Sequence, residues 1–502
     1  MSYSINRYVI ACSVVLFLFS TFIILSAYGT SGVGWDFLSH YLDGRTLSSG
    51  YFYSHLDTFS RSVPVNITIG GTVYTYRTVP PLTVSDRFYF DDVWEPLSPV
   101  LIGIFILLAG GMALELYLVF LIALLFVASY VAARKLDLNP LLLCSIMIGP
   151  YVLMVTVLYN GAEILALSLA LIAVGFASRK DYRAGVAFGL MGLAKYDSLI
   201  LSPMLLLLGG WKGVLKAIAL FALVASPWLI FNFLLFGNPL QSYMISIIET
   251  QPQHASLIAY FQLLGSIIWY PAILLLVAIA LLAYIGRKGA WMKRLSARAV
   301  KRVLRKQEAR VLALFLLLAF AGFLLVYNSV QGPARLGYLA YGSTAMLAAS
   351  ALGCKTISNA RIRAGRHCLK VGQLLPYLVF LASLTLLAVV YLSWSGIGFN
   401  VLGSLGSRAP EFAAAVNALQ VHGLLNCRIV SNAWPYMNYY NVTAYAPYLC
   451  NATVERMPIV VFGNIGVSSY CTGSVYSLAG ISRSYVYPNF SIYLPDNYTC
   501  MK

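Results

Sequence analysis

Residues 8–28 read YVIACSVVLFLFSTFIILSAY, and residues 32–47 read GVGWDFLSHYLDGRTL. The first stretch has about the 20 apolar residues that a helix needs to cross a bilayer. Because it has no clear small-x-small cleavage site, we interpret it as a retained first span that begins inside the cell. The second stretch then follows on the exterior side, directly at the membrane face.

The exterior loop of residues 30–98 is the feature around which we expect the rest of the chain to be organised. It carries seven of the seventeen acids of the chain: Asp36, Asp43, Asp57, Asp86, Asp91, Asp92 and Glu95. Packing alone does not explain a loop so rich in acids and aromatic residues. We interpret it as the cover of an active site that lies between lipid and solvent.

The composition indicates an integral membrane protein. Hydrophobic residues make up 60% and charged residues 10% of the 502 residues, whereas soluble domains are about 25% charged. The net charge of +17 is concentrated between apolar segments, since residues 287–310 carry ten Lys or Arg and residues 355–370 carry five. This positive-inside pattern argues against nucleic-acid binding and indicates at most some attraction to anionic lipid.

The apolar segments predict a mainly α fold, a polytopic transmembrane helical bundle of about 11 spans with the N-terminus inside and the C-terminus outside. The predicted spans are residues 8–28, 113–133, 139–159, 163–178, 184–210, 214–233, 263–285, 311–327, 337–352 and 375–394. Residues 99–111 are too short for a span and predict a helix along the outer face. Residues 184–210 are either one span or a hairpin of two short helices, and basic residues at both ends favour the hairpin.

A change of composition near residue 397 divides the chain into a transmembrane domain of residues 1–396 and a small exterior α/β domain of residues 397–502. In the second domain, residues 410–421 predict a helix, and residues 428–431 and 458–462 predict buried strands. Its four cysteines predict two disulfides in one of three pairings: Cys427, Cys450, Cys471 and Cys500. Five N-glycosylation sequons all fall in predicted exterior segments: Asn66, Asn441, Asn451, Asn489 and Asn497.

Two acids are candidates for catalysis. A carboxylate at the outer interface can accept a proton from an acceptor hydroxyl. Asp36 follows the first span closely, and Glu163 opens the fourth span towards the same outer cavity. Each also has a structural interpretation, Asp36 as a helix cap and Glu163 as an acid stabilised by the helix dipole.

The acids at the end of the exterior loop form a second group of candidates. Clustered carboxylates near an interface can bind a divalent cation such as Mg²⁺ or Mn²⁺, so Asp92 and Glu95, which cluster with Asp91, are candidate metal ligands. Asp92 and Glu95 are also candidates for contacts with the acceptor or the sugar. The alternative is that these acids belong to a solvated turn.

Two basic residues are candidates for binding a donor phosphate. Arg335 precedes a late span on the exterior side, where cations are few, and a guanidinium can bind two phosphate oxygens; its alternative is a side chain that reaches to the interface. Lys195 interrupts an apolar stretch together with Asp197, where charge needs a protein-lined cavity; its alternative is a pair that holds the bend. Asn232 and Asn238 are candidates for sugar or acceptor contacts.

Four stretches in serial order resemble the GT-C superfamily of membrane glycosyltransferases, in the branch of protein O-mannosyltransferases and aminoarabinose transferases. They are Asp36 after the first span, the Gly-rich stretch Gly189–Lys195, the Pro-Trp-x-x-x-Asn-x-x-x-x-Gly-Asn-Pro-Leu stretch Pro227–Leu240, and Arg-x-x-Tyr at Arg335. The usual Arg-Tyr pair is Arg-Leu here. A Trp-Trp-Asp-Tyr-Gly stretch is absent from the sequence, which argues against an oligosaccharyltransferase.

The resemblance implies that a polyprenyl-phosphate-linked sugar is the donor and that a protein or a lipid-linked glycan is the acceptor, at an active site on the exterior face of the cell membrane. It implies roles for Asp36 as base or metal-site residue, for Glu163 as second acid, and for Arg335 near the lipid phosphate. The sequons and the missing cleavage site fit an archaeal envelope. The alternative is a transporter or flippase for lipid-linked sugars, which inverted repeats would favour; the sequence shows none.

Overall fold

The computed structural model describes residues 7–49, 63–69, 72–78, 95–149, 151–152, 161–236, 238–240, 257–288, 307–325, 332–354, 357, 361–364, 367–397, 410–445, 457–463, 481–496, 498 and 500. The helices are α1 (Arg7–Ser31), α2 (Trp35–Ser48), α3 (Leu97–Ala109), α4 (Ala113–Lys135), α5 (Pro140–Met147), α6 (Ala162–Ser178), α7 (Ala184–Ala194), α8 (Trp211–Phe236), α9 (Leu257–Lys288), α10 (Gln307–Leu325), α11 (Gly332–Leu352), α12 (Val371–Ile397), α13 (Pro410–Val421) and α14 (Trp434–Tyr439). The strands are β1 (Val63–Ile69), β2 (Thr72–Thr78), β3 (Arg361–Ala364), β4 (His367–Lys370), β5 (Ile429–Ser431), β6 (Ala444–Tyr445), β7 (Ile459–Phe462), β8 (Ile481–Val486) and β9 (Phe490–Pro495).

Several helices are long and apolar enough to cross a membrane. Within the described residues five segments meet that criterion: Arg7–Thr30, Leu97–Lys135, Trp211–Leu234, Leu264–Leu281 and Val371–Leu392. Shorter apolar helices pack among them. The chain is therefore a multi-pass membrane protein, whereas the number of about 11 spans and their orientation stay predictions.

The segment Leu97–Lys135 is two helices, α3 and α4, joined by a short 3-10 turn that begins at Gly110. Gly110 has φ +55°, which glycine adopts without steric cost. Beyond the turn, the ring of Phe105 packs against those of Tyr117 and Phe120 at centroid distances of 5.8 and 5.5 Å. The predicted separation of a short apolar helix from the second span is confirmed.

The predicted helix of residues 139–159 is interrupted, because α5 ends at Met147; residues 153–160 lie outside the described residues. The carbonyl groups at its end accept hydrogen bonds from other helices: Ser145 O from Ser383 Oγ (2.8 Å) and Ile146 O from Tyr341 OH (2.7 Å). Backbone groups at membrane depth need such partners. Hydroxyls of α11 and α12 thus allow this helix to stop within the bundle.

Residues 184–210 form a hairpin, the favoured of the two predicted alternatives. Helix α7 ends before Lys195, which is extended (φ −159°, ψ 113°), and a 3-10 helix (Tyr196–Leu208) follows. The amide of Gln307 donates to Ala177 O (3.2 Å) and to Leu207 O (2.6 Å), so the hairpin ends beside the end of α6. Because α7 also begins there, Lys195 forms the hairpin tip at the opposite end of the bundle.

Glycines allow the hairpin to pack closely against α8. A Cβ on Gly185 would overlap Ala217 O, and one on Gly189 would lie 2.9 Å from Val224 Cβ. The spacing of these glycines, four residues apart, is that of small-residue helix packing in membranes. The close contact fixes the position of the hairpin tip.

The C-terminal domain is a five-stranded sheet in the order β6-β5-β7-β9-β8, in which β5 runs parallel to β6 and β7 and the other pairs are antiparallel. Its core centres on Phe412 of α13, whose ring stacks on Tyr436 of α14 at 4.3 Å and contacts Phe462 at 5.1 Å. The helix and the two strands predicted in this region are confirmed.

One disulfide joins Cys427 and Cys500. Cys450 and Cys471, the other candidates, lie outside the described residues. Among the sequons, the exposed side chains are those of Asn441 and Asn489, and Asn66 lies in β1. Asn451 and Asn497 are outside the described residues, and glycosylation stays a prediction at all five positions.

Candidate active site

Charged and polar side chains from separate segments are buried at the end of the bundle where the hairpin tip lies. Each of the following is 4% exposed or less: His40 of α2, Glu95 before α3, Glu163 of α6, Lys195 at the tip and Tyr338 of α11. Burial of such groups costs free energy unless they interact with one another. A cluster of this kind marks a candidate active site.

Glu95 connects the start of α3 to the hairpin tip. Its Oε1 accepts a hydrogen bond from the backbone N–H of Tyr196 at 3.0 Å. Burial raises the pKa of Glu95, the positive charge of Lys195 opposes this rise, and Asp197 adds to it. The interpretation of Glu95 as part of a solvated turn is therefore wrong, since its carboxylate lies in the interior.

Lys195 is the cation at the centre of this cluster. Its backbone N–H donates to Met191 O and ends α7, and Ser198 Oγ donates to its carbonyl at 2.6 Å. Its positive charge acts on both Glu95 and His40. The extended conformation between two helices therefore holds a buried ammonium group at a defined position.

His40 is neutral at physiological pH. Burial, together with the positive charge of Lys195, lowers the pKa of its imidazole from 6.5 to about 3. It lies one helical turn after Asp36 on α2, and the sequence analysis missed it because a single histidine in a loop carries no spacing signal.

We expect acid to destabilise the wild type more than His40→Gln. The folded-state pKa of His40 lies below its unfolded value of 6.5, so its contribution to stability is complete above pH 6.5 and is lost as pH falls towards 3. Over this interval the unfolding free energy falls by up to about 1.4 kcal/mol per pH unit. Thermal unfolding at pH 7 and pH 5 measures the difference, with His422→Gln as control. Equal acid sensitivity of His40→Gln and wild type would contradict the prediction.

The Pro-Trp-x-x-x-Asn stretch of α8 contacts the hairpin tip through hydrogen bonds. Trp228 Nε1 donates to Tyr196 OH at 2.7 Å, and the buried Asn232 donates through Nδ2 to Trp228 O at 3.0 Å. Asn238 Oδ1 accepts from Leu240 N at 3.0 Å and closes a local turn. These contacts are structural ones, whereas sugar or acceptor contacts of Asn232 and Asn238 stay predictions.

Asp36 and Glu163 flank one close contact between α2 and α6. Asp36 lies half-buried in the first turn of α2, where Gly34 is the N-cap residue, so the interpretation of Asp36 as the cap is wrong. The ring of Phe37 packs over Gly161, the residue that precedes α6 with φ +68°. The buried Glu163 follows in the first turn of α6.

We expect Gly161→Ala to lower the unfolding free energy by about 2–4 kcal/mol, because an alanine is strained at positive φ and its Cβ overpacks the site. That Cβ would lie 2.5 Å from Phe37 Cδ2. Thermal unfolding measures the loss. Gly111→Ala is the matched control, since a Cβ there meets nothing within 4 Å. A melting temperature of Gly161→Ala equal to that of this control would contradict the prediction.

Helix α11 brings Tyr338 and Arg335 to the same end of the bundle. The hydroxyl of Tyr338 interacts electrostatically with Asp197, Glu163 and Glu95. Arg335 lies in the same helix one turn earlier, and its side chain is outside the described part. Tyr338 belongs to the Arg-x-x-Tyr stretch, but the sequence did not predict it as a site residue. A tyrosine at the start of a span is common at a membrane interface.

The predicted metal site includes Asp36, Asp92 and Glu95. Among the described residues, no group of three His, Cys, Asp or Glu side chains could hold a metal ion. Asp92, one of the three predicted ligands, lies outside those residues. A divalent metal therefore stays a prediction.

The structure defines a multi-pass membrane protein in which a short helix and a hairpin tip enclose a buried charged cluster. A similar fold is seen in the crystal structure of ArnT from Cupriavidus metallidurans bound to undecaprenyl phosphate, with a TM-score of 0.56 and 12% sequence identity over 96% of this chain and 97% of that chain. At this identity the likeness concerns the fold, and it includes the C-terminal domain. Neither family models nor the sequences of curated proteins match the chain.

Proposed function

We propose that the chain is a membrane glycosyltransferase that transfers a sugar from a polyprenyl-phosphate-linked donor to an acceptor on the exterior face of the membrane. The observation that carries the proposal is the likeness of fold, over nearly the whole chain, to a protein solved with undecaprenyl phosphate bound. The sequence resemblance to GT-C glycosyltransferases points the same way and rests on separate features, the short motifs and their order.

In this proposal Lys195 and Arg335 bind the donor phosphate. Lys195 is a buried ammonium group held at a hairpin tip, and Arg335 lies at the start of α11 beside the same cluster. A cation in a site that excludes water stabilises the negative charge that develops on a leaving phosphate. Glu95 and the Trp228–Tyr196 contact act as positioning groups, because they hold the tip.

Asp36 acts as the general base. It accepts the proton of the acceptor hydroxyl while the acceptor oxygen bonds to the anomeric carbon of the sugar. The bond from that carbon to the phosphate oxygen breaks, and the electron pair leaves with polyprenyl phosphate. One direct displacement of this kind inverts the anomeric centre. Glu163, across the Phe37–Gly161 contact, orients the sugar or the acceptor.

Transfer and transport are distinguished with the purified protein in liposomes that contain polyprenyl-phosphate mannose and other polyprenyl-phosphate sugars. A transferase releases polyprenyl phosphate and forms a glycosylated product, both of which mass spectrometry detects. A flippase moves the intact lipid to the other leaflet. Translocation without cleavage of any donor would refute the proposal in favour of the transporter alternative.

Substitution of Glu163 tests whether the cleavage belongs to this site. We expect Glu163→Gln to lose most of the transfer activity, because the first turn of α6 faces the proposed substrate. Glu308→Gln is the matched control, since Glu308 is also an acid in a first helical turn but contacts Arg179, which follows α6 at the opposite end of the bundle. Equal loss in both variants would point to folding rather than to chemistry.

A further inference from the structure

An aromatic corner lies where the C-terminal domain meets the helix that carries Asp36. Tyr41 of α2 faces Tyr439 of α14 with ring centroids 6.3 Å apart. Tyr440 stands at 87° to Tyr439 with centroids 5.5 Å apart. All three rings are half-buried. The corner therefore joins the two domains and still leaves part of its ring surface accessible.

Charged groups of both signs act electrostatically on Tyr41. Arg45 follows it by one turn of α2, Glu115 lies in the first turn of α4, and both act electrostatically on its hydroxyl. Burial raises the pKa of Tyr41, with Arg45 opposing the rise, so the phenol keeps its proton and can both donate and accept hydrogen bonds. The corner thus combines ring faces with a guanidinium, a carboxylate and hydroxyls.

This combination differs from that of a surface which only packs two helices together. The contact between α2 and α3 is such a surface: Gly44 and Gly103 bring the two helices into backbone contact, and a Cβ on Gly44 would lie 2.8 Å from Pro99 O. A sugar ring instead presents C–H groups on its faces and hydroxyls at its rim. The C–H groups suit the electron-rich face of an aromatic ring, and the hydroxyls suit charged hydrogen-bonding groups.

We propose that Tyr41, Tyr439 and Tyr440 form a binding site for a saccharide ring whose hydroxyl groups are bound by Arg45 and Glu115. The proposal rests on the proposed function for the source of that ring, which is either the sugar of the donor lipid or a sugar of the acceptor. Tyr41 lies five residues after Asp36, so the bound ring and the proposed base belong to the same short helix.

Binding is tested without transfer, on the full chain in nanodiscs. The probes are the methyl glycosides of mannose, glucose, galactose, N-acetylglucosamine and arabinose, observed by saturation-transfer difference NMR. We expect wild type to bind at least one of them and Tyr439→Ala to bind it about fivefold more weakly, as loss of one aromatic contact predicts. Tyr439→Phe keeps the ring and most of the binding.

The matched control is Tyr485→Ala, a half-buried tyrosine of the same domain that stacks on His422 at 3.6 Å. It is expected to bind like wild type. No binding by wild type, or equal binding by Tyr439→Ala and wild type, overturns the proposal. If the melting temperature of Tyr439→Ala is below that of the control, the binding test is repeated with Arg45→Met, which keeps all three rings. Weaker saccharide binding by Arg45→Met supports the site, and unchanged binding overturns it.

The source of the ring follows from the transfer assay. An acceptor sugar predicts that Tyr439→Ala raises the KM for the acceptor about fivefold and leaves the KM for the donor unchanged; a donor sugar predicts the reverse. An equal KM for both substrates in variant and wild type overturns the site. Binding that depends on Tyr439 without any detectable transfer would refute the proposed function and leave the saccharide site standing.

Discussion

Asp36→Asn lowers transfer from a polyprenyl-phosphate sugar by about 10²–10⁴-fold, the usual contribution of a positioned general base. The amide keeps the shape of the side chain but accepts no proton. Asp36 is half-buried in the first turn of α2, where the helix dipole contributes about 0.3–1 kcal/mol, so the melting temperature changes little. Donor turnover and thermal unfolding are measured on the same preparations.

The control for Asp36 is Asp137→Asn at the opposite end of the bundle. Asp137 forms an exposed ion pair with Arg179 at 2.8 Å, and such pairs contribute about 0–1 kcal/mol. Loss of this ion pair in Asp137→Asn is therefore expected to change the unfolding free energy about as little as Asp36→Asn does, and to leave transfer unchanged. Wild-type turnover in Asp36→Asn, with wild-type protein levels, would remove Asp36 from catalysis.

Lys195→Met is expected to lower both stability and transfer, whereas Lys195→Met combined with Glu95→Gln recovers stability alone. The single substitution removes the positive charge that acts on the Glu95 carboxylate, which is 4% exposed, and costs about 3 kcal/mol. Replacing both charges by uncharged groups is often neutral for stability. Transfer falls about 100-fold or more in either variant, because the developing phosphate charge loses its ammonium.

The double-mutant cycle separates the two roles of Lys195, since thermal unfolding reports the Lys195–Glu95 interaction and turnover reports the phosphate contact. Lys212→Met is the matched control, because this lysine is exposed at the start of α8. Recovery of transfer in the double variant would show that Lys195 serves stability only. A Lys195→Met protein as stable as wild type would argue that the two charges do not interact.

Much of the helical framework follows from local sequence. Helices α8, α10, α12 and α13 lie where apolar runs or amphipathic spacing predict them, because the membrane requires long apolar stretches whatever their neighbours are. The break at Gly110 and the bend at Lys195 carry local signals as well, a glycine pair and a charge inside an apolar run. Asp36 and Glu163 were proposed as site residues from their distance to predicted spans, and their roles stay predictions.

Other features depend on contacts between residues far apart in the chain. The end of α5 is set by hydroxyls such as that of Tyr341, which no local pattern near Met147 reveals. Glu95 has the sequence surroundings of a surface turn, yet it accepts its hydrogen bond from Tyr196, 101 positions later. His40 and Tyr338 join the cluster only because α2 and α11 each approach the hairpin tip.

The sequence by itself determined the membrane class of the protein and the position of most helices, and it proposed two acids for the site, because hydrophobicity and helix-end signals act over about 20 residues. Tertiary structure alone decided which ends of those helices meet, that Glu95 and Lys195 share a buried environment, and that Cys427 bonds to Cys500. The physical reason is that the free energy of a buried charge or of a helix end depends on partners that only the folded chain brings near.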